Sequence, residues 1–357
     1  NALRRHGEWR KARAVLRSLR QPHSGLARVI NDNIYVRDND LQQVLRTIVQ
    51  PEPASPPSTP SSRPLVPRAT ILYLAGPKQE HYMDLMDSLR ALRRHFLDYW
   101  PYPVLIFHEN LSFEQIERLQ SIYPNTSCYR LKFDFPDHID PASVPTIVAG
   151  HANIGYRHMC RFYSGGIFRL PVLAETDWYW RVDTDSFILE DMQSDPFQVM
   201  AERNLAYGYM ALGREDEHLT TGLFEATQDY MLRKGVTSTD LYPQFSDANG
   251  RWDRTYYYTN FEIVNMVVHL SCFDLSCHME VTGSRVTCLS QNFFRQSAYL
   301  DYFDHLDKSH GFYIHRWGDA PIRLLGLSLT APQHRVHQFK DISYSHKVYV
   351  HLASESG

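Results

Sequence analysis

The sequence predicts an α/β fold with a mostly parallel central sheet, on three observations. Short apolar runs without polar alternation recur, as in Thr70-Ile71-Leu72-Tyr73-Leu74-Ala75. Such runs mark strands covered on both faces. Segments with apolar residues at helical spacing stand between them, and a β-α-β-α-β alternation requires crossover helices. A later apolar run, 177–183, leads directly into Asp183-Thr184-Asp185. Open α/β sheets bind ligands at the carboxyl ends of their strands.

In chain order, residues 1–50 read as a separate, stem-like segment. Arg4, Arg5, Arg10, Lys11, Arg13, Arg17 and Arg20 make its start basic, and Leu3, Ala12, Val15, Leu16 and Leu19 recur at loosely helical spacing. We read this as a solvated amphipathic helix. Residues 51–67 hold seven prolines and four serines, a composition that stays extended and stiff. The main domain, 68–357, follows. Its first strand is the run 70–75, closed by Gly76-Pro77. Met83, Met86, Leu89, Leu92 and Phe96 then place a helix over 79–98. Pro103 to Phe107 is a second buried strand, Phe113 to Tyr123 a second helix, and Cys128 to Phe133 a third strand. A proline-broken stretch, 136–145, precedes a helix over about 152–164 and the strand 177–183. Beyond residue 200 the pattern is less regular, with loops around 213–219 and 241–256.

Composition narrows the function. The chain has 357 residues, 43% hydrophobic and 22% charged, which excludes a mainly disordered, collagen-like or coiled-coil protein. Its 37 Lys+Arg against 40 Asp+Glu leave no basic excess, so no nucleic-acid partner is expected. The aromatic content, 22 Tyr, 18 Phe and 6 Trp, mostly builds a core, and it also suits pockets for partly polar ligands such as sugars. Five cysteines, without a C-x-x-C pair, argue against structural zinc. Cys272, Cys277 and Cys288 are close enough in sequence to permit one local disulfide. Asn110-Leu111-Ser112 and Asn125-Thr126-Ser127 are sequons for a chain in the secretory pathway. No apolar run is long enough to span a bilayer. Because the chain starts at Asn1, we expect an N-terminal anchor or signal outside it.

Four clusters carry candidate chemistry. Asp183 and Asp185, two apart at a strand end, converge on one divalent cation; hard oxygen ligands favour Mg²⁺ or Mn²⁺, which then bridge to a diphosphate. Solvated loop acids are the plain alternative. On the helix from Tyr156 to Ser164, Arg157 and Arg161 share a face, which suits a diphosphate or an acidic neighbour. Glu262 stands in Tyr258-Thr259-Asn260-Phe261-Glu262-Ile263-Val264, where a carboxylate needs a partner or a task because burying it is costly. An arginine is the ordinary partner. His315-Arg316-Trp317-Gly318-Asp319-Ala320-Pro321 reads as a tight loop, and the later His346 offers a nitrogen ligand to a carboxylate-bound cation.

The segments YRHMCRFYSGGIFRLPVL, DWYWRVDTDSF, TNFEIV and GFYIHRWGDAPIRLLGL, in this order, resemble the fungal Golgi α-1,2-mannosyltransferases of the Kre2/Mnt1 type, glycosyltransferase family 15. The likeness runs from about Thr70 to about Tyr349. It implies a GT-A-like, Rossmann-type nucleotide-sugar-binding fold in a single catalytic domain. The implied reaction is Mn²⁺-dependent transfer of mannose from GDP-mannose, with retention, to a glycan or glycoprotein acceptor. The implied setting is the Golgi lumen, in a type II membrane protein anchored by an N-terminal segment. By the same resemblance, Asp183, Asp185 and His346 are metal ligands, and Tyr156, Arg157, Arg161 and Asp183 bind the donor. Glu262 is the nucleophile or the carboxylate steadying the reaction, and Asp319 is a catalytic, structural or acceptor-binding residue. Asp183-Thr184-Asp185 stands where the family has Glu-Pro-Asp, and Arg323 where fungal members carry histidine. The loops at 213–219 and 268–290 also depart from the family.

Two other readings compete. A carbohydrate-binding or assembly protein that kept the fold and lost catalysis would share these motifs. A metal-dependent phosphatase also uses D-x-D after a strand, but near the start of its domain and with a small or β-branched residue where Phe187 stands.

Overall fold

The computed structural model describes residues 27–30, 33–36, 66, 68–150, 152–266, 294, 297–347 and 349–353. The basic helix expected over 1–20, nearly all of the linker 51–67 and the loop 268–290 with its three cysteines lie outside the described residues. Contacts divide the chain into two units. One comprises Asn1–Leu131, Trp180–Gln198 and Phe339–Gly357, the other Lys132–Tyr179 and Val199–Gln338.

The first unit carries the β-α-β-α-β alternation. Ala69–Ala75 lies parallel to Val104–His108, with Ile71 opposite Val104, and Val104–His108 lies parallel to Thr126–Arg130. Ile71, Leu72 and Tyr73 are fully buried, as an unbroken apolar run requires. The helix Gln79–Leu92 covers the strands with Tyr82, Leu85, Met86, Leu89 and Leu92. It continues into a wider turn, Arg93–Leu97, that sets Phe96 edge-on against Trp180 at 5.3 Å. The second helix, Phe113–Ile122, starts at a reciprocal cap between Ser112 and Gln115. The third strand begins earlier than its composition suggested, at Thr126 rather than Cys128. Asn125 already accepts the Val104 amide there, and pairing ends at Arg130.

A second, antiparallel sheet in this unit runs Ala27–Ile30, Asn33–Val36, Tyr349–His351, Tyr344–His346, Ser186–Ile188. Part of the stretch expected to be stem is therefore paired to the C-terminal strands. The helix Gln79–Leu92 ties into this sheet from above: Ser88 donates to the Ser186 carbonyl and bonds the Tyr73 hydroxyl at 3.0 Å.

In the second unit, Tyr207–Tyr209 pairs antiparallel with Phe261–Asn265 and parallel with Val336–Gln338. The helix Asp319–Thr330 is buried along almost its whole length, in keeping with apolar residues on every side. Helix Ile154–Ser164 ends at Gly165, where a Cβ would meet the Phe303 ring at 2.3 Å, so only glycine fits. Among the described residues, no helix is long and apolar enough to cross a membrane.

Candidate active site

Strand Trp178–Val182 is buried at every position and delivers the chain to Asp183. A tight turn follows, in which the Ser186 amide donates to the Asp183 carbonyl at 3.0 Å. The turn projects Asp183 and Asp185, whose side chains keep 22% and 20% exposure. Beyond it, Ser186–Ile188 pairs with Tyr344–His346 in a register that sets His346 opposite Ser186, one residue from Asp185. Residues 160 positions apart in sequence meet by this register alone. One ligand atom from each of Asp183, Asp185 and His346 falls within 4.8 Å of the others.

Cationic groups surround the two acids. Arg181, two residues upstream on the same strand face, donates from Nε to Asp183 Oδ1 at 2.9 Å. His346 Nε2 lies 3.0 Å from Asp185 Oδ1, and Lys347 Nζ 3.6 Å from Oδ2. Burial pushes the Asp185 carboxyl up, but the His346 hydrogen bond and the charges of His346 and Lys347 outweigh it, so Asp185 is held well below the ordinary carboxylate range. An ionised Asp185 is the form a cation needs. Two carboxylates and one imidazole nitrogen are a hard-to-borderline donor set that suits Mn²⁺ or Mg²⁺ and leaves positions for a ligand's oxygens. The residues fit the cation the sequence called for.

Glu262 sits in the second unit and is fully buried. Arg323 donates to it from Nε at 3.1 Å. Tyr179 donates to Oε1 at 3.0 Å and Tyr207 to Oε2 at 3.1 Å. Burial and the neighbouring Glu262 charge push both phenols well up, so they stay protonated donors. Burial lowers the Arg323 affinity for its proton, but Glu262 and the tyrosines around it more than restore the charge. Both carboxylate oxygens are thus engaged, and none of the side chain meets solvent. In this arrangement Glu262 presents no surface to a sugar, and the expected attack on the anomeric carbon would require the cluster to open.

The helix Ile154–Ser164 places its three expected donor-binding residues in different surroundings. Arg157 is fully buried and donates to the carbonyls of Asn153, Pro145, Thr146 and Tyr313. Arg161 forms a two-pronged pair with Asp307, at 2.6 and 2.8 Å. The shared face expected from their spacing therefore serves a carbonyl cluster and an acidic neighbour. Tyr156 accepts from Arg316 Nη2 at 2.6 Å, and the Arg316 guanidinium lies 4.9 Å over its ring. Arg316 takes a left-handed backbone (φ 64°) in the loop and also pairs with Glu215 at 3.0 Å. Asp319 opens the helix Asp319–Thr330 and accepts from Thr259 Oγ1 at 2.9 Å, a position where the helix dipole favours an acid.

Sequence reasoning missed Arg181, Lys347 and the tyrosine partners of Glu262. Arg181 carried a readable signal, a lone charge inside an apolar strand two residues before an acid. Tyr179 and Tyr207 carried none, because buried tyrosines are ordinary core residues.

The family model described as glycolipid 2-alpha-mannosyltransferase matches residues 29–356. The chain is 27% identical over 320 residues to O-glycoside alpha-1,2-mannosyltransferase homolog 4 of Schizosaccharomyces pombe, covering 82% of the chain and 72% of that protein. It is 28% identical over 299 residues to glycolipid 2-alpha-mannosyltransferase 2 of Candida albicans, covering 79% of the chain but only 59% of that relative's length. Among solved structures, it is similar to core-mannan synthase A of Aspergillus fumigatus in its Mn/GDP form, at 25% identity and a TM-score of 0.64, over 83% of this chain and 81% of that one. It also resembles the mannosyltransferase Ktr4p of S. cerevisiae in fold, at 22% identity and a TM-score of 0.66, over 96% and 87%. The α/β, GT-A-like class expected from the sequence is the class of these neighbours.

Proposed function

The chain belongs to the glycolipid 2-alpha-mannosyltransferase family, a family of glycosyltransferases, and on that basis we propose that it transfers mannose from GDP-mannose to a glycan or glycoprotein acceptor. The reading includes retention of configuration, a Mn²⁺ (or Mg²⁺) ion on Asp183, Asp185 and His346, and a place in the Golgi lumen. The observation that carries it is the convergence of those three ligand atoms within 4.8 Å at the end of a buried strand. The Mn/GDP form of core-mannan synthase A, a chain of the same fold, supports the pairing of such a site with a guanosine diphosphate.

The bound cation supplies the charge that neutralises the leaving diphosphate. Arg181 orients Asp183, and Lys347 with His346 favours an ionised Asp185, the form that would hold a cation. With Glu262 engaged by Arg323 and two tyrosines, retention by same-face attack, without a glycosyl-enzyme, is the route this geometry favours over double displacement. The same engagement favours a second reading, a protein that binds the nucleotide sugar without turning it over.

Incubation with GDP-mannose and α-mannoside acceptors, with and without Mn²⁺, tests the proposal. Mn²⁺-dependent formation of GDP together with mannosylated product supports transfer. Donor binding with neither product points to the second reading, and no donor binding at all contradicts both.

A further inference from the structure

We propose that Asn110 and Asn125 are N-glycosylated and that their glycans cover an exposed edge of the first unit. The inference rests on the lumenal location proposed above, because the modifying enzyme works only there. In the folded chain both asparagines are exposed, and so are the serines two residues on, Ser112 and Ser127. Sequons buried on folding cannot carry a glycan. These two are both open.

Local structure leaves room at each site. Asn110 lies in the bend between strand Val104–His108 and helix Phe113–Ile122, and Ser112 is that helix's cap. Asn125 immediately precedes strand Thr126–Arg130, with Thr126 turned inward and Ser127 outward. The asparagine amides make long bonds to backbone carbonyls, Asn110 Nδ2 to Pro77 at 3.5 Å and Asn125 Nδ2 to Pro101 at 3.4 Å, and the Asn125 side chain also hydrogen-bonds Tyr123. The amide nitrogen carries two hydrogens. Glycosylation joins Nδ2 to C1 of a lipid-diphosphate-linked oligosaccharide, breaks that sugar's C1–O bond to the diphosphate and releases one amide proton. Each modified amide keeps one N–H for a neighbouring acceptor.

The surface beside these sites gives the glycans something to cover. Thr126–Arg130 is the last strand of its sheet among the described residues, and an open strand edge invites pairing with another chain. Tyr129 on that strand is 37% exposed, and Phe113, three residues after Asn110, is 73% exposed. A glycan at Asn125 projects beside the open edge, and one at Asn110 beside the phenylalanine.

The test is the full chain, secreted from cultured insect cells and treated with peptide N-glycosidase. We expect two glycans by intact mass. Asn110→Gln and Asn125→Gln should each remove one, Ser127→Ala should match Asn125→Gln, and the enzymatically stripped protein should self-associate more on warming, read by light scattering. An unmodified secreted chain, or a glycan that survives the double variant, overturns the assignment. Equal self-association of stripped and intact protein overturns the covering role. A secreted, unglycosylated chain that still binds GDP with Mn²⁺ rejects this inference while leaving the proposed function standing.

Discussion

Arg323 Nε lies 3.1 Å from Glu262 Oε2, and both side chains are closed to solvent. This pair converts the motif's one candidate nucleophile into half of a buried ion pair. Removing one partner of such a pair leaves an uncompensated charge, whereas replacing both with apolar residues is far milder. Glu262→Gln should therefore lower unfolding stability by about 3 kcal/mol. The double variant Glu262→Met/Arg323→Met should lose less than the sum of its single changes. Urea unfolding of the four proteins measures the coupling. Additive losses would mean that the pair is not a unit.

Gly165 allows the end of helix Ile154–Ser164 to press against Phe303, with the hypothetical Cβ 2.3 Å from the ring. Gly165→Ala should destabilise by about 1–3 kcal/mol through overpacking. Adding Phe303→Leu should recover part of the loss, as seen in the thermal midpoint. If the second change recovers nothing, the cost lies in the backbone and not in this contact.

Acid should weaken the cation-free protein through two buried imidazoles. Burial first, then Arg161 and Arg157, lowers the proton affinity of His158; burial first, then Arg130, lowers that of His108. The unfolded chain takes up these protons as pH falls through the ordinary histidine value of about 6.5, while the folded chain holds back. The unfolded state then binds more protons, so stability falls with pH below that value until the folded imidazoles also titrate. His158 Nδ1 lies 2.9 Å from the Tyr313 hydroxyl, a contact an asparagine oxygen can reproduce. His158→Asn should flatten the decline in unfolding midpoint between about pH 7 and about pH 5. An unchanged slope would place the acid sensitivity elsewhere.

Most of the first unit was legible because its signals are local. Unbroken apolar runs marked strands that prove to be buried and parallel, and helical spacing of apolar residues marked the helices between them. The metal cluster was half legible. Asp183 and Asp185 are neighbours in sequence, but His346 joins them only through the antiparallel register with Ser186–Ile188; the resemblance named the histidine, and residue spacing could not. An arginine was the ordinary partner to expect for Glu262, but which arginine, and the two tyrosines beside it, were not legible. Tyr179, Tyr207 and Arg323 lie 83, 55 and 61 positions from it and meet it only by tertiary packing. The strand at 128–133 was misplaced because Thr126 and Ser127 are polar, and their pairing depends on a neighbour strand and not on their own pattern.

His346 should contribute less than either acid to holding the cation, since a water can take one ligand position. His346→Ala should weaken Mn²⁺-dependent nucleotide binding by a smaller factor than Asp183→Ala or Asp185→Ala, as read from GDP titrations at fixed Mn²⁺. A loss larger than that of both aspartates would make the imidazole the anchor of the site.

Calorimetric titration of GDP into the protein, with Mn²⁺ and then with chelator, tests the central claim most directly when run on the wild type and on Asp185→Ala. The account predicts binding that requires Mn²⁺ in the wild type and an affinity at least about tenfold weaker in the variant, roughly 1.4 kcal/mol or more, with the circular dichroism spectrum unchanged. GDP binding that is equally strong with chelator, or equally strong in Asp185→Ala, would contradict it.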